Sequence, residues 1–285
     1  MLSNDVAYFK PKTISDAVEL FQTLTSQGKH PMYYSGGTEL LTLGRLNRVY
    51  TDAVIDIKGI PDCQTYEFRN DELIIGSTVG LYRFEKKVLF PLLTQTSKEV
   101  ADYTARNKIT IGGNICGQIF YREAVLPFLL SDSQIVVAGP AGIRKISINS
   151  AFNKQLHLEK GELLVQLITK KEYVRLPFLS IKKRNQWETG YPLITVASLK
   201  KDGYIRFAIS GLCPYPFRSM TMEDILNDQS LSKQERVAKA VEYAPKPILD
   251  DIEGSKGYRI FVLKNTLSHI LSQLGSDGYD EILLK

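Results

Sequence analysis

The stretch Thr110–Gly117 reads TIGGNICG, and the earlier stretch Tyr34–Leu40 reads YSGGTEL. Each sets a Gly-Gly pair inside an apolar run and follows it with a polar side chain. Paired glycines weaken a strand and a helix alike, since they lose the most backbone freedom and pack nothing. In TIGGNICG they stand where a strand is expected to continue. A plain turn needs one glycine, so a second implies that something must approach the backbone closely. Amide groups at a glycine turn can donate to an anion, and a helix N-terminus behind the turn adds a favourable dipole. Gly36-Gly37 leads into Thr38 and a helical pattern, while Gly112-Gly113 lies between Thr110 and Asn114. Two such turns suit a diphosphate, and a diphosphate suggests a dinucleotide. Neither GxGxxG nor GxxxxGK[ST] is present, so neither a Rossmann site nor a P-loop is supported.

Outward from these stretches, residues 14–21 open a helix that Thr13 or Ser15 can cap, with Ala17, Leu20, Phe21 and Leu24 at helical spacing. Residues 31–35 predict a strand, 38–46 a helix and 53–57 a buried strand. Residues 63–68 and 72–75 predict a hairpin around Arg69-Asn70-Asp71, and 92–103 and 124–131 predict helices. Strands follow at 134–138, 146–148 and 162–169. Beyond Lys170 the pattern changes to strands at 173–180, 192–200 and 205–212, with Asp202-Gly203 as a hairpin turn. Helices then follow at 222–226, 233–242 and 258–274. An α+β chain is expected, in three parts: two α/β subdomains at 1–58 and 59–170, then a small antiparallel sheet with helices at 171–285.

The bulk numbers agree with a packed protein. Of 285 residues, 44% are hydrophobic and 24% charged, which argues against disorder. The net charge of +5 is scattered in short runs such as Lys182-Lys183-Arg184, which argues against a nucleic-acid groove. Three cysteines, with no CxxC, cannot build a zinc site or an iron–sulfur cluster by themselves. No signal peptide and no apolar run of membrane-spanning length is read, so a cytoplasmic protein without a membrane span is expected. Three scattered histidines offer no nucleophile–base pair, and no catalytic or metal-ligating residue is assigned.

YSGGTEL followed by ARNKITIGGNICG resembles the FAD-binding (medium) subunit of the molybdenum hydroxylases, the xanthine dehydrogenase family. KPKTISDAVELF near the start and AVIDIKGI after the first loop extend the likeness over essentially the whole chain. The resemblance implies a two-subdomain FAD-binding fold of the vanillyl-alcohol-oxidase (PCMH) type. It implies that Tyr33, Tyr34, Ser35, Gly36, Gly37, Thr38, Glu39 and Leu40 form the first diphosphate loop. Thr110, Gly112, Gly113 and Asn114 would form the second, with Ala105 and Ile109 lining the approach and Ser77 following the hairpin glycine. Glu123 falls where many relatives place an aspartate. Leu163 and Leu164 match the strand that packs on adenine or flavin, and a lysine near the flavin corresponds to Lys182 or Lys183. The chain departs from the family at Ile119 and Phe120, where relatives often carry a serine-proline pair.

The resemblance further implies an oxidoreductase that works within a complex. FAD would take electrons from an iron–sulfur partner fed by a molybdopterin partner and pass them to NAD+, in a xanthine or purine dehydrogenase. Both metal cofactors would sit on the partner subunits of a hetero-oligomer. A stand-alone FAD oxidoreductase and a flavin-less assembly subunit are the rival readings.

Overall fold

A computed structural model describes residues 5–184 and 190–275, which form two compact units. The first runs up to Leu89 and takes in Tyr103–Gly117 and Asp132–Lys170. Its three-stranded parallel sheet places Ala53–Asp56 between Ala7–Phe9 and Pro31–Tyr34. The middle strand is buried throughout, which is why AVID reads as an unbroken apolar run until its last residue. Thr13 caps the helix Ile14–Ser26 by accepting from the Asp16 amide at 3.1 Å, and that helix buries Ala17 and Leu24.

A five-stranded antiparallel sheet completes the first unit, in the order Tyr66–Arg69, Glu72–Gly76, Leu163–Lys170, Gln134–Gly139, Gly142–Ser147. Asn70, at a φ of 53°, makes the turn of its first hairpin. The central strand is buried from Leu163 to Thr169. One core cluster joins Ala17 and Leu24 of the helix, Ala53 and Ile55 of the parallel sheet, and Ala138, Leu163 and Val165 of the antiparallel one.

The second unit takes Phe90–Asp102, Gln118–Ser131 and the chain from Lys171 onward. Strands Phe178–Lys183, Ile194–Lys201, Tyr204–Ser210 and Phe217–Arg218 pair antiparallel in that order. Asp202 and Gly203, at φ 51° and 78°, form the two-residue turn expected of them. Helices Met220–Asn227, Lys233–Glu242 and Lys256–Leu274 cover one core cluster with this sheet. The carbonyls of Leu129 and Leu130, at the end of the helix Leu126–Leu130, accept from Arg218 and Arg206 at 2.8 and 2.9 Å.

Four local expectations are corrected. Ile111–Cys116 is a short helix, not a strand, because Thr110 caps it. Pro61–Gln64 is a helical turn that delays the expected strand to Tyr66–Arg69; proline at the first helical position favours this. The helix expected over 92–103 stops at Lys98, and Ala101 takes a left-handed φ of 49° before a separate turn at Tyr103–Arg106. The strand expected at 173–180 is a helical turn, Lys171–Val174, followed by the strand Phe178–Lys183.

Candidate functional site

The strand Pro31–Tyr34 ends in Ser35-Gly36-Gly37, and the helix Thr38–Arg45 starts directly from Gly37. Gly37 has a φ of +72°, and a Cβ there would run into the Tyr34 ring, so both conformation and space require glycine. The helix begins with Leu41 N–H on the Gly37 carbonyl at 2.9 Å. The amides of its first turn therefore have no acceptor inside the helix, and the positive end of the helix dipole faces the loop.

Gly36 settles what the second glycine motif approaches. A Cβ on Gly36 would overlap the Lys108 carbonyl oxygen and lie 3.2 Å from the Thr110 nitrogen. The first loop thus lies directly on the backbone that leads into TIGGN. The amides of that second loop are spent within the chain. Ile111 N–H donates to Val79 O at 2.9 Å, Gly112 N–H to Ser77 O at 2.8 Å, Gly113 N–H to Thr110 Oγ1 at 3.2 Å and Asn114 N–H to Thr110 O at 2.9 Å. The expectation of outward-facing amides at Gly112-Gly113 is corrected accordingly. A Cβ on Gly112 would stand 2.6 Å from the Ser77 Cβ, so this glycine allows a close approach to the segment after the hairpin. Leu81 N–H on Ile109 O at 2.9 Å extends the same seam, and Ala105 O accepts from the Lys108 and Ile109 amides at 2.9 Å each.

Three segments so stitched enclose a cavity of about 370 Å³. This lies within the ~300–1,000 Å³ range of small-molecule sites. Tyr34, Ser35 and Gly36 line it together with the adjoining Lys108 and Thr110. Lys58 and Arg83 add two more cations, and among the described residues no carboxylate lines it. The Ser35 hydroxyl is shielded from solvent and has no partner among the described residues, while the Ser77 hydroxyl faces the Cys63 thiol without a full hydrogen bond. Cations and hydroxyls around this opening, with a helix N-terminus following the first loop, fit the diphosphate of FAD.

Lys58 was not legible as a site residue. Its ammonium lies 2.8 Å from Ser35 O, 2.9 Å from Asp56 Oδ1 and 4.3 Å from the centre of the Tyr34 ring. A positional signal did exist: Tyr34 and Asp56 end parallel strands, and ligands in α/β layers gather at such ends. Asp56 is buried, which raises its pKa. Donation from Tyr8 and from the amide and ammonium of Lys58 outweighs this, so the carboxyl stays below the usual range.

Other expected residues take different places. Tyr33 turns into the first unit, where its ring stacks on Phe21 at 5.0 Å and its hydroxyl donates to Gly161 O at 2.9 Å; burial pushes its pKa up. Thr38 is exposed, and Leu40 half-buried. The Glu39 carboxylate meets the end of the second loop, where a Cβ on Gly117 would overlap it. Leu163 and Leu164 lie in the buried strand, Leu163 within the core cluster.

Glu123 and Lys182 belong to the second unit and form a buried ion pair at 2.9 Å. Thr195 Oγ1 donates to the same carboxylate at 2.7 Å, and Lys182 Nζ also reaches Glu99 O at 2.6 Å. Burial raises the Glu123 pKa, and Lys182 opposes the rise. Lys183, the alternative, points out, as strand alternation requires. In the departing segment Phe120 is exposed and Tyr121 stacks on Tyr191 at 4.7 Å. Trp187, in the turn-rich stretch that follows Arg184, lies outside the described residues. Burial pushes the Cys63 and Cys213 thiols up to about 11, so these are inert packing groups.

Among the described residues no cluster of metal-ligating side chains occurs, and no helix is long and apolar enough to cross a membrane. A family model described as the FAD binding domain in molybdopterin dehydrogenase matches residues 4–169. The chain is 25% identical over 268 residues to the carbon monoxide dehydrogenase medium chain of Hydrogenophaga pseudoflava, covering 88% of this chain and 91% of that one. It is 22% identical over 288 residues to the xanthine dehydrogenase FAD-binding subunit of Escherichia coli O157:H7, covering 94% and 95%. In fold it is similar to a solved chain of carbon monoxide dehydrogenase from Hydrogenophaga pseudoflava, with a TM-score of 0.84, 22% identity, and coverage of 94% and 96%. A chain of quinoline 2-oxidoreductase from Pseudomonas putida 86 superposes with a TM-score of 0.81, 20% identity, and coverage of 98% and 100%.

Proposed function

The chain belongs to the family of FAD-binding domains of molybdopterin dehydrogenases, and on that premise we propose that it is the FAD-carrying electron-transfer subunit of a molybdenum hydroxylase complex. The observation that carries this reading is the seating of Gly36 on the backbone of Lys108, which brings both glycine motifs to one cation-lined cavity. Ser35 and the first turn from Thr38 would donate to the diphosphate, with Thr110 on the same wall. Ser77, Ala105, Ile109, Gly112, Gly113 and Asn114 hold that wall in shape, and Tyr33, Leu163 and Leu164 support it from the core. Glu123 and Lys182 are retained as cofactor-binding residues on the strength of the resemblance.

FAD, when bound, exchanges single electrons with iron–sulfur clusters and electron pairs with NAD+. The chain's own residues bind and orient it; none is assigned an acid–base step. The partners proposed are an iron–sulfur subunit and a molybdopterin subunit, in the reducing cytoplasm. A purine substrate is favoured because three relatives are named for purines, two for xanthine and one for caffeine. The test is to purify the chain with whatever accompanies it and record the visible spectrum. Bound flavin and two partners of those kinds are expected. A chain that carries no flavin and takes up none from added FAD overturns the reading. Turnover of xanthine with NAD+, against carbon monoxide and nicotinate, tests the substrate and the acceptor.

A further inference from the structure

We infer that Lys58, which belongs to neither glycine motif, is a cofactor-binding residue that donates to the diphosphate of the ligand in the first unit's cavity; this rests on the FAD reading above. Lys58 lines the cavity together with Ser35, Gly36 and Thr110. An ammonium has three donors. One is taken by the Ser35 carbonyl and one by Asp56, at 2.8 and 2.9 Å, and the ammonium sits over the Tyr34 ring, 4.3 Å from its centre. A lysine side chain ordinarily loses rotamer entropy when held. Here that ordering is met before the ligand arrives, which is what pre-organisation of a site means.

Asp56 is held in its turn, by the Tyr8 hydroxyl and the Lys58 amide, so the anchor does not move with solvent. The anchor also offsets part of the lysine's charge. The uncompensated charge at the cavity then comes from Arg83 and Lys108, which are exposed and screened by salt. Lys58 differs from them by being fixed, and by bonding the same loop whose Ser35 hydroxyl has no partner among the described residues. A charge-assisted donor in such a place is worth about 10- to 100-fold in affinity.

The full-length chain is compared with Lys58→Met, Lys58→Gln and Lys58→Arg. Dissociation constants for FAD, ADP and riboflavin are measured by flavin fluorescence and calorimetry, with the ligand-free thermal midpoint as a control for folding. The expected result is that the Met and Gln variants bind FAD and ADP about 10- to 100-fold more weakly. Riboflavin, which has no diphosphate, is bound unchanged, and Lys58→Arg recovers most of the loss. FAD binding at wild-type strength in the Met or Gln variant overturns the assignment. So does failure of both charge-free variants to fold, which makes Lys58 a strut. If the wild-type chain binds ADP in a Lys58-dependent way but not FAD, the FAD reading fails and the lysine's role stands. If it binds neither, both fall.

Discussion

Gly36 rests on the carbonyl of Lys108 with no room for a side chain between them. That contact joins two motifs more than seventy residues apart and makes one wall of two loops. Other glycines of the two pairs have tasks of their own. Gly37 turns the chain into a helix, and Gly112 lets the second loop seat on Ser77.

Gly36→Ala therefore tests the wall. Its Cβ meets backbone, which cannot swing aside, so the loops must part. Overpacking of this kind costs about 1–3 kcal/mol. A lower thermal midpoint and loss of retained flavin are expected together. An alanine variant with wild-type flavin content would show that the two loops need not touch.

Thr110→Ala removes the oxygen that caps the helix Ile111–Cys116 and leaves the Gly113 amide without its acceptor. The loss expected in urea unfolding is about 1 kcal/mol, as for other caps. Thr110→Ser, which keeps the oxygen, should lose little of that.

The acid limb of stability should depend on Asp56. Its folded pKa lies below the ordinary value, so it binds its proton less readily folded than unfolded. Its contribution is complete above about pH 4, the unfolded carboxyl value, and drains as the pH falls through the folded value. Asp56→Asn should flatten the dependence of unfolding free energy on pH below about 4 while leaving its slope near neutrality unchanged. An unaltered acid limb counts against this.

Lys182→Met leaves Glu123 buried beside Thr195 with no cation. Breaking a buried pair from one side costs about 3–5 kcal/mol. Glu123 then titrates above its ordinary value, because burial already pushes it that way. A raised carboxyl pKa means that stability falls as the pH rises through the window above about 4.3. Unfolding curves at several pH values would show it, and Lys182→Met with Glu123→Gln should recover part of the loss.

The elements legible in the chain are those with local causes. Ala17, Leu20, Phe21 and Leu24 recur at helical spacing behind Thr13. Asn70-Asp71 and Asp202-Gly203 offer left-handed turn positions between apolar runs, and Gly37-Thr38 starts a helix without help from elsewhere. The two glycine motifs were legible for the same reason, and with them the family and the α+β fold.

Tertiary contacts alone assigned each glycine its neighbour. That Gly36 meets Lys108, that the Ile111–Asn114 amides turn inward, and that Lys58 comes under the first loop all depend on backbone arriving from distant segments. Nor does local pattern reveal that residues 90–102 and 118–131 leave the first unit for the second. Strand alternation required Lys182 and Lys183 to face opposite ways, but only Glu123, approaching from another segment, selected Lys182 as the buried one. Spacing and turn chemistry act over a few residues, whereas burial and ion pairing are properties of the packed chain.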